Sequence, residues 1–474
     1  MALVDRVPAV GGFFSRSSFR LKSDVGPSPI CKAGNTVLST AARPDGWLEF
    51  NGLQPATLYD VTCEGGARFG HAAVRTLAAS REVAVPGAQF TQDGMNFTTG
   101  SCFGDARALA FNRITGSLDI FGNNRGSASA PPNACFATYD GLQWRVVRFR
   151  YPGEVAGQVI DYNAGIGLAY LDDGTTVARD TVAVGGASYN RLNFCARDCG
   201  VTTNWTSLVL DGPLGVMNPC QASIALTPDR SKLLVINNCG TTHYTECPLT
   251  TTCRQLSNWS TPTLVQNSVG SGTHVLPFFD VQGGLWLATA SSTIGVAYCP
   301  PGDCKVGVNW RQGKFPGQTF QISSPFFRQE GSTIQFAAAR DWTTGGSEWL
   351  VASCDTAVLD CGLVDGSGVY ANFSAHTFTM PEGRLQAFRS VQGGFQYSIL
   401  DKADGHKLKS SRCSGSFAAC FADASHWSSL SLMSDGMDHV WSSYMEHGGF
   451  VDGRGDPLSF MGGEDGLVYY DPWP

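Results

Sequence analysis

Residues 247–259 read CPLTTTCRQLSNW, and fifty-two residues later residues 299–310 read CPPGDCKVGVNW. Two cysteines a few residues apart, then a tryptophan at a nearly fixed distance, is a chemically costly pattern to meet twice by accident. It recurs as CARDCGVTTNW at residues 195–205 and as CSGSFAACFADASHW at residues 413–427. A fifth copy, CDTAVLDCGLVDGSGVY at residues 354–370, places Tyr370 where the others have Trp. The first cysteines stand at 195, 247, 299, 354 and 413, in steps of 52, 52, 55 and 59 residues. An earlier relative, FATYDGLQW, ends at Trp144 and has an Asp-Gly turn in place of the cysteine hairpin, so six units are visible. Repeats of this length signal stacked supersecondary units.

Between the hairpins the chain reads as strands, short runs of Val, Ile, Phe, Leu and Ala broken by Gly-Gly and Asp-Gly turns. HVLPFFDVQGGLWLATASSTIGVAYC (274–299) and RLQAFRSVQGGFQYSILDKADGHKLKSSRC (384–413) align as strand, tight turn, strand, longer loop, strand, hairpin. A fourth strand then follows each hairpin, and no helical period competes. Four antiparallel strands per unit of about 40–60 residues is the arithmetic of a β-propeller blade. After Trp427 the chain offers about three more strands; EVAVPGAQF at residues 82–90 supplies a fourth and closes the ring. The expectation is all-β, with a seven-bladed propeller over 79–474 and six blades as the alternative.

These units resemble the neuraminidase type of repeat, in which an Asp-box hairpin between the third and fourth strands precedes a Trp packed between blades. The Ser-x-Asp-x-Gly-x-x-Trp consensus is absent, and the cysteine hairpin stands in its place. Residues 1–78 do not share the repeat. Their phrase GWLEFNGLQPATLYDVTCEGG (46–66) resembles a fibronectin type III domain, with Leu53, Pro55 and Tyr59 as its tyrosine corner.

The sixteen cysteines pair off with near neighbours: Cys31 with Cys63, Cys102 with Cys135, Cys195 with Cys199, Cys220 with Cys239, Cys247 with Cys253, Cys299 with Cys304, Cys354 with Cys361 and Cys413 with Cys420. An even count with none left over favours disulfides and an oxidising compartment. Zinc ligation wants matched Cys-x2–4-Cys units or accompanying His, and the eight histidines lack that spacing. No metal and no cofactor is expected. Asn-x-Ser/Thr sequons at Asn96, Asn204, Asn258 and Asn372 point toward glycosylation and the same compartment. The opening MALVDRVPAVGGFF lacks a signal peptide's charged start and continuous apolar core, so a secreted chain implies a mature or truncated beginning. Forty acidic against thirty-three basic residues leaves no basic excess for nucleic acid, and no apolar run spans a bilayer.

In a propeller the three-to-four hairpins lie at one face, and the two-to-three and four-to-one loops lie at the other, where ligands usually bind. The sequence assigns to that second face LDDGTTVARD (Asp172, Asp173, Arg179), ARDWTTGG (Arg340, Asp341, Trp342), LDKADGHK (Asp401, Asp404, His406), THYTE (His243, Tyr244) and GGEDG (Glu464, Asp465). Asp172, Asp173, Arg340, Asp341, Trp342, Asp401 and His406 are the ligand-binding candidates, although exposed turns are polar for reasons of solvation alone. Carboxylates and a tryptophan suit sugar hydroxyls or a peptide.

The reading is a secreted or cell-surface recognition or structural protein that binds extracellular glycan or protein, with self-assembly a further expectation. The alternative is a sialidase-like glycoside hydrolase. That activity needs three converging arginines, a Tyr with its Glu and an Asp; the chain offers FNRIT (Arg113, Ile114) without the following Pro, plus Arg340 and Arg389, and fixes no Tyr/Glu pair. No other hydrolase or nucleotide motif stands in a suitable context. Arg454-Gly455-Asp456 matches the integrin tripeptide but is also simply a good turn.

Overall fold

The computed structural model describes residues 5–7, 9–12, 19–23, 29–38, 40–42, 47–54, 57–65, 68–76, 81–84, 106–112, 115, 117–124, 133–139, 144–149, 167–184, 187–210, 221–238, 241–267, 274–290, 294–314, 322–340, 348–355, 361, 374–379, 383–391, 394–401, 407–434, 446–447, 458–462 and 467–471. Strand is the dominant element among these residues.

The N-terminal strands make two facing sheets. One runs in the order Asp5–Val7, Arg68–Arg75, Leu58–Gly65, Ile30–Ala33, Thr36–Val37; the other in the order Ala9–Gly12, Phe19–Ser23, Trp47–Phe50, Thr40–Ala42. Alternation places Phe19, Leu21, Leu48 and Phe50 from the second sheet against Val61, Val74 and the Cys31–Cys63 disulfide from the first. Cys31 and Cys63 are directly opposed on neighbouring strands. Tyr59 packs on this core, and its hydroxyl accepts a hydrogen bond from the Gln54 backbone N–H at 2.8 Å.

Six antiparallel meanders follow in chain order. The first sheet comprises Ala106–Asn112, Ser117–Asn124, Asn133–Tyr139 and Trp144–Phe149, the second Gly167–Tyr170, Thr176–Val184, Ala187–Cys195 and Trp205–Leu210. The third holds Gln221–Leu226, Lys232–Asn238, Thr241–Pro248 and Thr263–Asn267, the fourth His274–Phe279, Leu285–Ala290, Ile294–Cys299 and Arg311–Lys314. The fifth holds Ile322–Glu330, Thr333–Arg340, Glu348–Asp355 and Ser374–Thr379, the sixth Gly383–Val391, Gly394–Asp401, Lys407–Ser414 and Ser431–Ser434. From the first sheet to the sixth, the first strand of each sheet lies beside the first strand of the next, and Leu458–Gly462 lies beside that of the first sheet. First strands side by side, with later strands radiating outward, is the packing of a β-propeller.

The chain ends meet in a three-stranded sheet. Arg81–Ala84 pairs antiparallel with Leu467–Asp471, which pairs with Leu458–Gly462. The strand expected over 82–90 is thus described only at 81–84. Glu446–His447 adds parallel to Ala106–Asn112 on the first sheet, a pairing the repeat did not suggest.

The core lies between sheets. Phe121 and Phe136 of the first sheet meet Leu168, Ala178 and Trp205 of the second; Leu192 and Phe194 of the second meet Ile224, Val235 and Trp259 of the third. Trp310 closes the third-to-fourth junction on Tyr244, with ring centroids 5.7 Å apart; at the fifth-to-sixth junction Trp349 meets Tyr397 at 5.5 Å, and Trp427 backs Tyr397 within the sixth sheet at 5.0 Å.

Candidate functional site

An antiparallel meander turns twice at one end and once at the other. The one-to-two and three-to-four connections therefore share an end of each sheet, and the two-to-three connection occupies the opposite end.

The three-to-four end is built from one repeated device. Disulfides join Cys195 to Cys199, Cys247 to Cys253, Cys299 to Cys304, Cys354 to Cys361 and Cys413 to Cys420, with Cα atoms 5.6 to 5.8 Å apart. Closing loops this short contributes about 2 kcal/mol each in the chain-entropy account. In four copies the Trp indole then donates to the carbonyl of the second cysteine: Trp205 to Cys199 at 2.9 Å, Trp259 to Cys253 at 3.0 Å, Trp310 to Cys304 at 2.8 Å and Trp427 to Cys420 at 2.8 Å. Each indole is thus buried between sheets with its one polar atom satisfied. The residue before each Trp caps the hairpin as well. Asn204, Asn258, Asn309 and His426 donate to the carbonyl preceding the second cysteine, at 3.2, 2.7, 2.7 and 2.6 Å.

In the fifth sheet Tyr370 lies outside the described residues. The fourth-to-fifth junction is filled from the other side by Trp286, fully buried on Phe327 and Phe336 of the fifth sheet. Its indole donates to Asp280 Oδ2 at 3.0 Å, while Asp280 Oδ1 accepts from the N–H groups of Gln282 and Gly284. The sequence reading missed this aspartate, although Asp280 followed by Gly-Gly and Trp286 was a usable signal. Burial and the adjoining Asp280 carboxylate push the Tyr298 phenol up to about 12.

The one-to-two hairpins lie at this same end, which corrects the placement of Asp172 and Asp173. They occupy the hairpin between Gly167–Tyr170 and Thr176–Val184, and belong with the cysteine hairpins rather than the opposite face. A sequence run such as LDDG carries no mark of the strand pair it joins. Asp173 Oδ1 accepts from Thr175 N at 2.9 Å and closes the turn. Asp172 binds Arg230, whose guanidinium also donates to the Tyr170 carbonyl. Arg230 has φ of 57°, a left-handed position held by Gly174 and Gly283 in the hairpins on either side. This cross-sheet contact gives a side chain there a use that offsets its backbone cost.

Two further rim candidates are interior groups. Arg179 is fully buried, donating to Asn190 Oδ1 at 2.8 Å and, across the junction, to the Ala222 carbonyl at 3.3 Å. Tyr244 is buried with its hydroxyl donating to Glu246, and burial and that carboxylate push its phenol far above the ordinary range. Glu246 in turn holds Lys232 at 3.0 Å and Lys305 of the fourth sheet at 3.6 Å. On the other face of the second sheet Arg191 makes paired bonds to Asp180 at 2.9 and 2.6 Å. At the first-to-second junction, burial pushes Asp119 up to about 6, against hydrogen bonds from Thr138, Ser117, Tyr170 and Asn112. Arg179 to Ala222, Lys305 to Glu246 and Tyr170 to Asp119 tie neighbouring sheets together.

The opposite end carries the remaining candidates. Arg340 ends the second strand of the fifth sheet and Asp401 that of the sixth, so both enter two-to-three connections. Asp341, Trp342, Asp404, His406, Glu464 and Asp465 lie outside the described residues. His243, at the start of its third strand, is half-buried, and burial lowers its pKa. Two of the arginines considered for a sialidase stand at opposite ends of their sheets: Arg340 ends its strand at the two-to-three end, whereas Arg389 is two residues from the one-to-two turn, and Arg113 lies outside the described residues. Among the described residues no group of three His, Cys, Asp or Glu is placed to hold a metal ion. Among the described residues no helix is long and apolar enough to cross a membrane.

Six of the eight expected cysteine pairs are formed as read, and Cys135 is disulfide-bonded. Cys102, Cys220 and Cys239 lie outside the described residues, as do Asn96, Asn372 and residues 454–456.

No protein-family model matches the sequence, and no curated protein matches it. Solved structures are similar at low identity. A chain of the mitotic checkpoint complex is 9% identical with a TM-score of 0.44, over 84% of this chain and 92% of that one. The β-propeller domain of Cps50 (Swd1) from Myceliophteria thermophila is 11% identical with a TM-score of 0.39, over 77% and 96%. The α-L-arabinofuranosidase PaAbf62A from Podospora anserina is 12% identical with a TM-score of 0.26, over 51% and 86%. At these scores the fold rests on the strand pairings described above.

Proposed function

We propose that this chain is a recognition or structural protein of an oxidising, extracellular or cell-surface setting. In this reading a fibronectin type III-like module precedes a seven-bladed propeller, the three-stranded sheet of the two chain ends being the seventh blade. The Tyr59 to Gln54 hydrogen bond supports the first assignment and the pairing of Arg81–Ala84 with Leu467–Asp471 the second. The observation that carries the functional reading is the contrast between the two ends of the sheets. Disulfides, indoles and cross-sheet ion pairs fix one end, which leaves the two-to-three and four-to-one connections as the surface on which binding specificity is free to vary. Extracellular glycan or protein is the ligand class, met by Arg340, Asp341, Trp342, Asp401 and His406, and copies of this chain are among the protein partners. The separation of Arg340 from Arg389 speaks against a sialidase-like site.

The test is binding of the full chain to an array of glycans and extracellular proteins, followed by the Arg340→Ala/Trp342→Ala/Asp401→Ala variant. A ligand bound at least tenfold more weakly by the variant, with melting temperature unchanged, supports the reading. Unchanged binding by the variant overturns the assigned surface, and turnover of a glycoside by the full chain overturns the non-catalytic reading.

A further inference from the structure

Two of the chain's sequons are Asn204-Trp205-Thr206 and Asn258-Trp259-Ser260, and both sit in cysteine hairpins. We infer that these two sequons are by-products of hairpin geometry and carry no glycan in the folded protein.

The reason lies in copies of the hairpin that have only half the sequon. The position before the Trp asks for a side-chain nitrogen that donates to the carbonyl preceding the second cysteine. Asn309 meets that demand at 2.7 Å although Arg311 follows its Trp, so no sequon exists there. His426 meets it through Nδ1 at 2.6 Å with no asparagine at all. The position after the Trp has its own, separate demand. Ser260 Oγ accepts from Glu246 N at 3.0 Å, while its backbone N–H and carbonyl bond Glu246 and Thr245. Ser428, which follows His426-Trp427 and completes no sequon, repeats this: its Oγ accepts from Arg412 N at 3.0 Å, and its carbonyl accepts from Ser411 Oγ at 2.6 Å. In the third sheet the two demands are met by Asn258 and Ser260, and the sequence spells an acceptor triplet.

The atoms a glycan needs are the atoms the hairpin uses. Glycosylation replaces an Nδ2 hydrogen with a sugar carbon. Asn204 spends both Nδ2 hydrogens, on the carbonyls of Arg197 at 3.1 Å and Asp198 at 3.2 Å, so a glycan there breaks at least one bond. At Asn258 the short bond to the Thr252 carbonyl directs Nδ2 into its own hairpin.

The decisive experiment sends the full chain, behind an added leader, through an N-glycosylating secretory host together with a reporter glycoprotein. Peptide mapping after enzymatic glycan release in heavy-oxygen water reads occupancy site by site. With the reporter modified, Asn204 and Asn258 are expected to be converted in less than about a tenth of molecules, and majority occupancy at either overturns the inference. Independently of the host, Asn258→Ala and Asn309→Ala are expected to lower the melting temperature alike, by about 2–4 °C for one lost hydrogen bond. Asn258→His, which copies the sixth sheet, is expected to restore the wild-type value. An Asn258→Ala variant as stable as wild type, or an Asn258→His variant as unstable as Asn258→Ala, overturns the capping role.

Discussion

The two ends of the sheets solve opposite problems with the same strands. At the end carrying the cysteine hairpins the polar groups that the device uses have named partners: indole to cysteine carbonyl, cap nitrogen to the carbonyl before it, Asp172 to Arg230, Glu246 to Lys232 and Lys305. At the other end the second strands finish at Arg340 and Asp401, and the connections that follow repeat neither a cysteine nor a tryptophan. Local redundancy in one place licenses sequence freedom in the other. Stability and recognition are thereby separated along the strand axis, so substitutions at the two ends should differ in kind.

The largest effect that would break this contrast, if absent, is at Trp310. Removing a fully buried indole and its hydrogen bond in Trp310→Ala should cost about 3–5 kcal/mol, read as a shift in denaturant midpoint. A loss below about 1 kcal/mol would mean that the wedge does not hold the third and fourth sheets together. Next is the pH response of Asp119, which lies beside the one-to-two turn of the first sheet. Its folded pKa is raised, from 3.8 to about 6, so the protonated carboxyl is the form favoured in the fold. The stability it contributes is complete below about pH 3.8 and is lost as pH rises through 6, a change of up to about 3 kcal/mol. Asp119→Asn should flatten that part of the stability–pH curve; an unaltered curve would remove Asp119 as its source.

A smaller loss, about 2 kcal/mol, is expected for Cys299→Ser/Cys304→Ser, since the loop closed is short. Equal stability of this variant and wild type under non-reducing conditions would show that the indole and cap suffice alone. The smallest effect belongs to the other end: Asp401→Ala should change stability by less than about 0.5 kcal/mol. A loss as large as that of the cysteine variant would erase the distinction between the ends.

Much of the fixed end was legible in the chain because its chemistry uses rare residues. Cysteine pairs and tryptophan held at a constant offset seldom arise by chance, and their period marks out the sheets; the Leu53-Pro55-Tyr59 phrase likewise announced the Tyr59 bond to Gln54. The candidate rim was read less well. Asp172, Asp173, Arg179 and Tyr244 are polar residues near turns, and polarity alone does not tell a solvated loop from a buried bridge between sheets. The roles of Asp172 and Arg179 follow from strand pairing and from neighbours about fifty residues away, Arg230 and Ala222, which a single sequence does not display. The Trp286 wedge escaped for a related reason, since it fills the fourth-to-fifth junction from the opposite side and so breaks the period that revealed the others.

The short turns after the cysteine hairpins also touch something beyond their own sheets. Thr202–Asn204, Leu256–Asn258 and Gly307–Asn309 each lie against the outermost strand of the preceding sheet, where Thr263 Oγ1 donates to the Lys305 carbonyl and Gly307 approaches the Leu264 carbonyl. An outermost strand is the place where a sheet protein invites a foreign strand to add on. The second, third and fourth sheets therefore each guard the margin of their predecessor, and the staple that rigidifies one turn also keeps that guard in position. Covering such a margin opposes aggregation, a property distinct from the stability of any single sheet.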